Sequence, residues 1–343
     1  MMEDKKLNQA VNINESDVMH KVKPMEYVDA NTEAFGDIPL ELFEPYRVDK
    51  SVSEKIEAPH YSYWRSVAKR FFSSKVAIFM LILFFAIVAM SIIQPMFSGY
   101  DHMEAKYIND RSMWFLRPSW EHPFGTDDIG REMFDMVWAG SRTSLFIAFM
   151  ATIINTVIGV IVGMWWGFSK RVDVIMIEVY NIIANLPFTL IVMILAFTLG
   201  SGVWQLIFAL SCTSWIGTAY FVRVQVMIRR DREYNLASRV LGSSTWKIIK
   251  NNILPYLISV LVTIISRDIP SYISYEVFLS FIGVGLSEKV ATLGRAVQVS
   301  AKHMQSAPYL FLIPLCVTAL ISVSLYIVGQ TLADASDPRN HML

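Results

Sequence analysis

The chain has 343 residues, of which 54% are apolar and 17% charged, with a formal net charge of +0 and a mean hydropathy of +0.40. A soluble domain carries about a quarter charged residues, and here the apolar residues come in blocks of about twenty or more, so an ordinary water-soluble fold is excluded and an all-α, polytopic membrane protein is expected. Balanced charge offers no global basic surface for nucleic acid. The two cysteines, Cys212 and Cys316, sit inside apolar runs, where small packing residues are more usual than a disulfide or metal pair.

Residues 1–64 are polar, mostly acidic and without a period, and read as a cytoplasmic extension. Its stretch IPLELFEPY is either a docking patch or plain linker. No continuous apolar run occurs in the first 75 residues, so no cleavable leader is expected. Aromatic and basic residues alternate in YSYWRSVAKRFFSSK, which predicts an interfacial helix over 65–75 lying among lipid headgroups. The membrane domain follows over 76–335. Its six spans are predicted near 76–97, 144–166, 174–200, 203–222, 256–286 and 309–330. Pro270 predicts a break or kink in the overlong fifth. An outer loop spans 98–143, a cytoplasmic loop 223–255 and a tail 336–343. With both termini inside, the inner flanks hold 14 basic residues against 8 outside, which favours that orientation.

No G-x-x-x-x-G-K-[ST] occurs, so the chain cannot cradle ATP phosphates by itself. In EHPFGTDDIGRE, His122 lies near Asp127 and Asp128, but the potential metal ligands are few. A structured loop with Gly125 and Gly130 in turns is the better expectation. Gly159, Gly163 and Gly167 recur every four residues, which suits close helix packing.

The polar stretch REYNLASRVLGSSTWKIIKNNILP lies between two apolar runs. It reads as helix, break, helix. Gly242 suits a left-handed helix end, and Ser243, Ser244 and Thr245 offer capping oxygens to a second helix. Trp246, Ile249 and Ile253 are expected on one apolar side facing the bundle. Such a loop either docks a partner or is a re-entrant amphipathic segment without one.

The same stretch resembles the cytoplasmic EAA loop of ABC importer permeases, E-A-A, three residues, G, nine residues, I-x-L-P. The E-A-A positions read Leu236, Ala237 and Ser238, the glycine is Gly242, and the last four read Asn252, Ile253, Leu254 and Pro255. Leu236, Ser238 and Asn252 depart from the pattern. HPFGTDDIGREMFDMVWAGSRTSL, GVIVGMWWGFSKRVDVIMIEVYNIIANLP, EVFLSFIGVGL and LADASDPR are similar to the oligopeptide/dipeptide permease C-type subunit, over roughly 65–340. The resemblance implies a type I ABC importer permease fold in a bacterial cell membrane, both termini cytoplasmic. It also implies a non-catalytic subunit, which pairs with a homologous second permease, two ABC ATPase subunits that hold ATP and Mg, and an extracellular or periplasmic peptide-binding protein. Residues Leu236, Ala237, Ser238, Gly242, Ser243, Ser244, Thr245 and Trp246 would form the ATPase-coupling helix region. The cargo is expected to be short peptides, with nickel chelates or murein peptides on the same fold as the alternative. An ATPase-independent channel or proton-coupled carrier is the rival of another class.

Charges inside the spans complete the reading. Arg267, Asp268 and Glu276 fall in the fifth span and Glu178 in the third. A central Arg or Asp costs roughly 2.5–3.5 kcal/mol on an insertion scale, so such residues face a cavity or a partner. Arg267 or Asp268 either lines the translocation pathway or pairs with the partner permease. Glu276 suits helix packing or a gate.

Overall fold

In the computed structural model residues 63–99 and 107–336 are described. The extension up to residue 62, with IPLELFEPY, and the tail from 337 lie outside them. Among the described residues the chain is helical, with one isolated bridge between Thr126 and Glu132 and no strand.

Helix α1 (Tyr63–Phe71) is short and amphipathic. Its buried Val67 and Phe71 pack with Ala77 and Ala335, and the Tyr63 hydroxyl donates to Ser336 O at 2.7 Å. Trp64 and Phe72 stay exposed, as do the basic Lys69 and Arg70. Helix α2 (Lys75–Ser98) starts where Ser74 accepts from the Ala77 N–H at 3.3 Å.

Helix α3 (Met133–Phe168) begins well upstream of the apolar run. At 1.5 Å per residue its 36 residues extend roughly 54 Å, longer than a hydrocarbon core of about 30 Å. The preceding segment is held by its own bonds. Thr126 donates to Met113 O at 2.6 Å, and Asp127 accepts from the Arg131 side chain at 2.7 Å. Gly125 and Gly130 turn this segment with φ of 75° and 76°. His122 lies 2.6 Å from Glu132 rather than beside Asp127.

The third apolar run is two helices, α4 (Lys170–Ala184) and α5 (Phe188–Leu199), bent by 81°. Pro187 lacks an N–H and pushes Leu186 away from helical backbone, so the chain turns there. Helix α6 (Val203–Arg230) returns beside α3. The glycine row makes that contact close. A Cβ on Gly163 would stand 2.5 Å from Ala219 O, and one on Gly167 2.7 Å from Arg223 O.

After a loop of two short helices, α7 (Glu233–Val240) and α8 (Thr245–Ile248), a π turn over Ile249–Ile253 leads into α9 (Leu254–Phe281). The helix runs through Pro270 without a break. Its 56° bend lies between Ile258 and Val260, after the π turn. Helices α10 (Leu293–Ala301) and α11 (Pro308–Ser336) close the bundle. Among the described residues four helices, α2, α3, α6 and α11, are long and apolar enough to cross a membrane. Counting each bent pair as one span gives six.

The main core draws Met136, Ile147 and Ala151 from α3, Leu206 and Leu210 from α6, Ile273 and Leu279 from α9, and Leu310 and Ile321 from α11. A second cluster at the loop end joins Met164, Val222, Val226, Ile248, Ile249, Ile253 and Leu257.

Candidate functional site

The polar loop is built around Gly242. Helix α7 ends at Val240 with Leu241 as its cap, and Gly242 takes φ +81°. The Gly242 N–H donates to Arg239 O and the Ser243 N–H to Ser238 O, both at 2.9 Å. This pair of bonds is the Schellman arrangement, which satisfies the carbonyls left open at a helix end. Ser244 then caps α8, accepting from the Lys247 N–H at 3.4 Å.

One expectation fails here. Trp246 is 65% exposed, while Ile249 and Ile253 are buried. The π turn widens the helix and moves the register, so that Ile248, Ile249, Ile253 and Leu257 form the buried row. Trp246 therefore points away from the bundle, together with Val240 at 88% and Leu241 at 85% exposure. Leu236, Ala237 and Thr245 are also exposed, and Ser238 and Ser243 half-buried.

A polar clamp that sequence reasoning missed holds the two arms of the loop. The buried Asn235 donates to Arg229 O at 2.9 Å and accepts from Asn252 Nδ2 at 2.9 Å. The same Asn252 amide reaches Ser238 Oγ at 3.3 Å. Arg230 donates to Gly167 O at 2.8 Å, and Arg239 stands over the Phe168 ring. The loop thus grips the end of α3. One step further in, Arg223 of α6 pairs with Asp173 of α4, and Trp166 Nε1 donates to the same carboxylate at 2.8 Å. Tyr180 stacks on Tyr220 at 4.2 Å. An aspartate and an arginine at the ends of adjoining apolar runs were the available signal for that pair.

The intramembrane charges separate into two places. Asp268 and Arg267 line a cleft of about 250 Å³ with Phe188, Ser214, Tyr272 and Tyr275. Their side chains are 15% and 70% exposed and approach to 3.5 Å. Adjacent residues on an unbroken helix point about 100° apart, so one faces inward and the other outward. The Tyr272 hydroxyl is anchored by Asn155 Nδ2 at 2.8 Å and bonded to Ser214. Glu276 is elsewhere and fully buried. It accepts from Ser144 at 2.7 Å and Ser280 at 2.9 Å, and is also bonded by the Thr292 side chain and the Gly294 N–H. Ser144 in turn accepts from the Leu293 N–H at 3.1 Å. Glu276 therefore ties α3, α9 and the start of α10 together. Glu178 is exposed on α4 and belongs to neither group.

Residues 156–341 match the model of the family described as binding-protein-dependent transport system inner membrane component. Residues 62–118 match the N-terminal TM domain of oligopeptide transport permease C. The chain is 50% identical over 304 residues to the oligopeptide transport system permease protein AmiD of Streptococcus pneumoniae, covering 89% of this chain and 99% of that one. It is 34% identical to the oligopeptide transport system permease protein OppC of Bacillus subtilis, covering 88% and 98%. With OppC of Escherichia coli the identity is 30%, covering 85% and 96%.

Proposed function

We propose that this chain, which belongs to the family of binding-protein-dependent transport system inner membrane components, is one of two permease subunits of an ATP-driven peptide importer. The observation that carries the reading is the exposed crown of Val240, Leu241 and Trp246 on a loop otherwise held rigidly to the bundle. Apolar side chains presented at the tip of a braced loop suit insertion into a groove on another protein. The chain has no phosphate-binding loop of its own, so an ATP-driven cycle would reach it through such a contact. The partners are then two ABC ATPase subunits, which hold ATP and Mg, a homologous second permease, and a peptide-binding protein on the far side of the membrane.

On this reading ATP binding closes the ATPases, which draws the two loops together and opens the cavity between the permeases outward. The braces from Asn235, Arg230 and Arg239 pass the loop's displacement to α3 and α6, and the Asp173–Arg223 pair passes it to α4. The basic bias supports a cytoplasmic position for the loop and both termini. The peptide cargo rests on the names borne by relatives that match this chain over nearly their whole length. Affinity purification of the tagged chain from its native membrane tests the assignment. Two P-loop subunits and a second permease are expected to accompany it, and ATP-dependent peptide uptake should be lost when it is deleted. Uptake that survives removal of the ATPases would place the chain among carriers or channels instead.

A further inference from the structure

We propose that the cleft between α5, α6 and α9 receives the free amino terminus of a peptide, with the Asp268 carboxylate as counter-charge and Arg267 on the adjacent peptide carbonyl. The inference rests on the reading of the chain as a peptide permease and adds which chemical group of the cargo it meets.

The hydroxyl hydrogens decide the chemistry of the wall. The Ser214 hydroxyl donates to Leu210 O at 2.5 Å, and the Ser271 hydroxyl to Arg267 O at 2.9 Å. Each hydroxyl has a single hydrogen, so neither has one left to donate into the cleft; Ser214 already meets the Tyr272 hydroxyl, which leaves Ser271 the freer acceptor. Asp268 adds a carboxylate, recessed at 15% exposure, whose contact to Arg267 is long at 3.5 Å. On the Asp268 side of the cleft, a carboxylate beside the Ser271 acceptor suits a group with several hydrogens and a positive charge, while Arg267 lines the other side. An ammonium has three donors and no acceptor. The rings of Phe188 and Tyr275, edge to face at 4.8 Å, line the same cleft and offer π density to a cation.

Arg267 has the complementary task. Its side chain is 70% exposed in the middle of a membrane-spanning helix, where a charge must face water or a partner. Five N–H donors on a guanidinium engaged by one long contact leave it free to bond a carbonyl oxygen next to the terminus. A free α-amino group and the first peptide carbonyl occur in every unblocked peptide whatever its side chains. The cleft would thus grip many cargos through their shared end.

The test uses the assembled transporter in proteoliposomes, its peptide-binding protein saturated in turn by a peptide with a free amino terminus and by the same peptide N-acetylated. The measured quantity is the ratio of the two uptake rates. Asp268→Asn is expected to lower that ratio about tenfold, as loss of a charge-assisted hydrogen bond implies. Asp268→Glu should recover most of it, and Ser271→Ala should lower it by a smaller factor. A wild-type ratio in an assembled Asp268→Asn complex overturns the proposal. Loss of assembly in both Asp268 variants, rescued by a compensating charge on the second permease, also overturns it, because the charge then serves the subunit contact. A wild-type complex that imports neither peptide instead removes the assignment as a peptide permease.

Discussion

The Asn252 amide donates to the Ser238 hydroxyl at 3.3 Å, joining two positions at which the loop departs from the EAA pattern. The departures are therefore matched. Ser238 supplies an acceptor where alanine has none, and Asn252 supplies the donor. Asn252 also satisfies the buried Asn235 Oδ1 at 2.9 Å. Asn252→Ile restores the pattern residue yet strands that acceptor, at about 1–3 kcal/mol. The variant is expected to lower the melting temperature of the purified complex, and Ser238→Ala to lower it less. In a double-mutant cycle the two effects should sum to more than the double variant loses. Strict additivity would mean that the pair does not interact.

Gly242 concerns local backbone and partner contact separately. A residue with a Cβ costs about 1 kcal/mol or more at φ +81°, and within this chain that Cβ would meet nothing inside 4 Å. Gly242→Ala should therefore insert and assemble with a modest loss of stability. Gly242→Asp should insert but abolish uptake and substrate-stimulated ATP hydrolysis, since its charge sits beside the exposed Leu241. Normal stimulation in the aspartate variant would move the coupling contact elsewhere.

Glu276 is predicted to be structural. Glu276→Ala leaves the Ser144, Ser280 and Thr292 hydroxyls and the Gly294 N–H without their shared acceptor in a buried site. Each orphaned group costs about 1–3 kcal/mol where no other partner is reached. A steep fall in folded yield is expected. Glu276→Gln keeps one acceptor oxygen and should fall less. Full stability of the alanine variant, read by thermal unfolding, would show that the serines find other partners.

Topology can be read by labelling with a membrane-impermeant thiol reagent after Cys212→Ser and Cys316→Ser remove the native cysteines. In intact cells a cysteine at Asp110 should react and one at Leu241 should not, although both positions are exposed on the chain. Disruption of the membrane should make Leu241 accessible. The reverse pattern would invert the orientation and remove the coupling role from the loop.

Some of this was legible in the residue order alone. Six apolar blocks follow from length and composition, because a helix must satisfy its backbone within the bilayer whatever its neighbours are. Gly242 was legible as a left-handed helix end, and Gly125 and Gly130 as turns, because those conformations depend on a few adjacent residues. The glycine row at 159, 163 and 167 announced a close contact, though not that α6 would fill it. Tertiary structure decided the rest. Pro270, expected to break or kink the fifth span, leaves its helix continuous, whereas the third run bends at Pro187. The π turn turned Trp246 outward and Ile248 inward, since a side chain's face depends on how many residues each turn holds. Glu276 found Ser144 at a separation of 132 residues, and Asn252 found Asn235 at 17. A hydrogen bond needs its partners within about 3 Å, and no local pattern specifies which distant donor the packing will bring there.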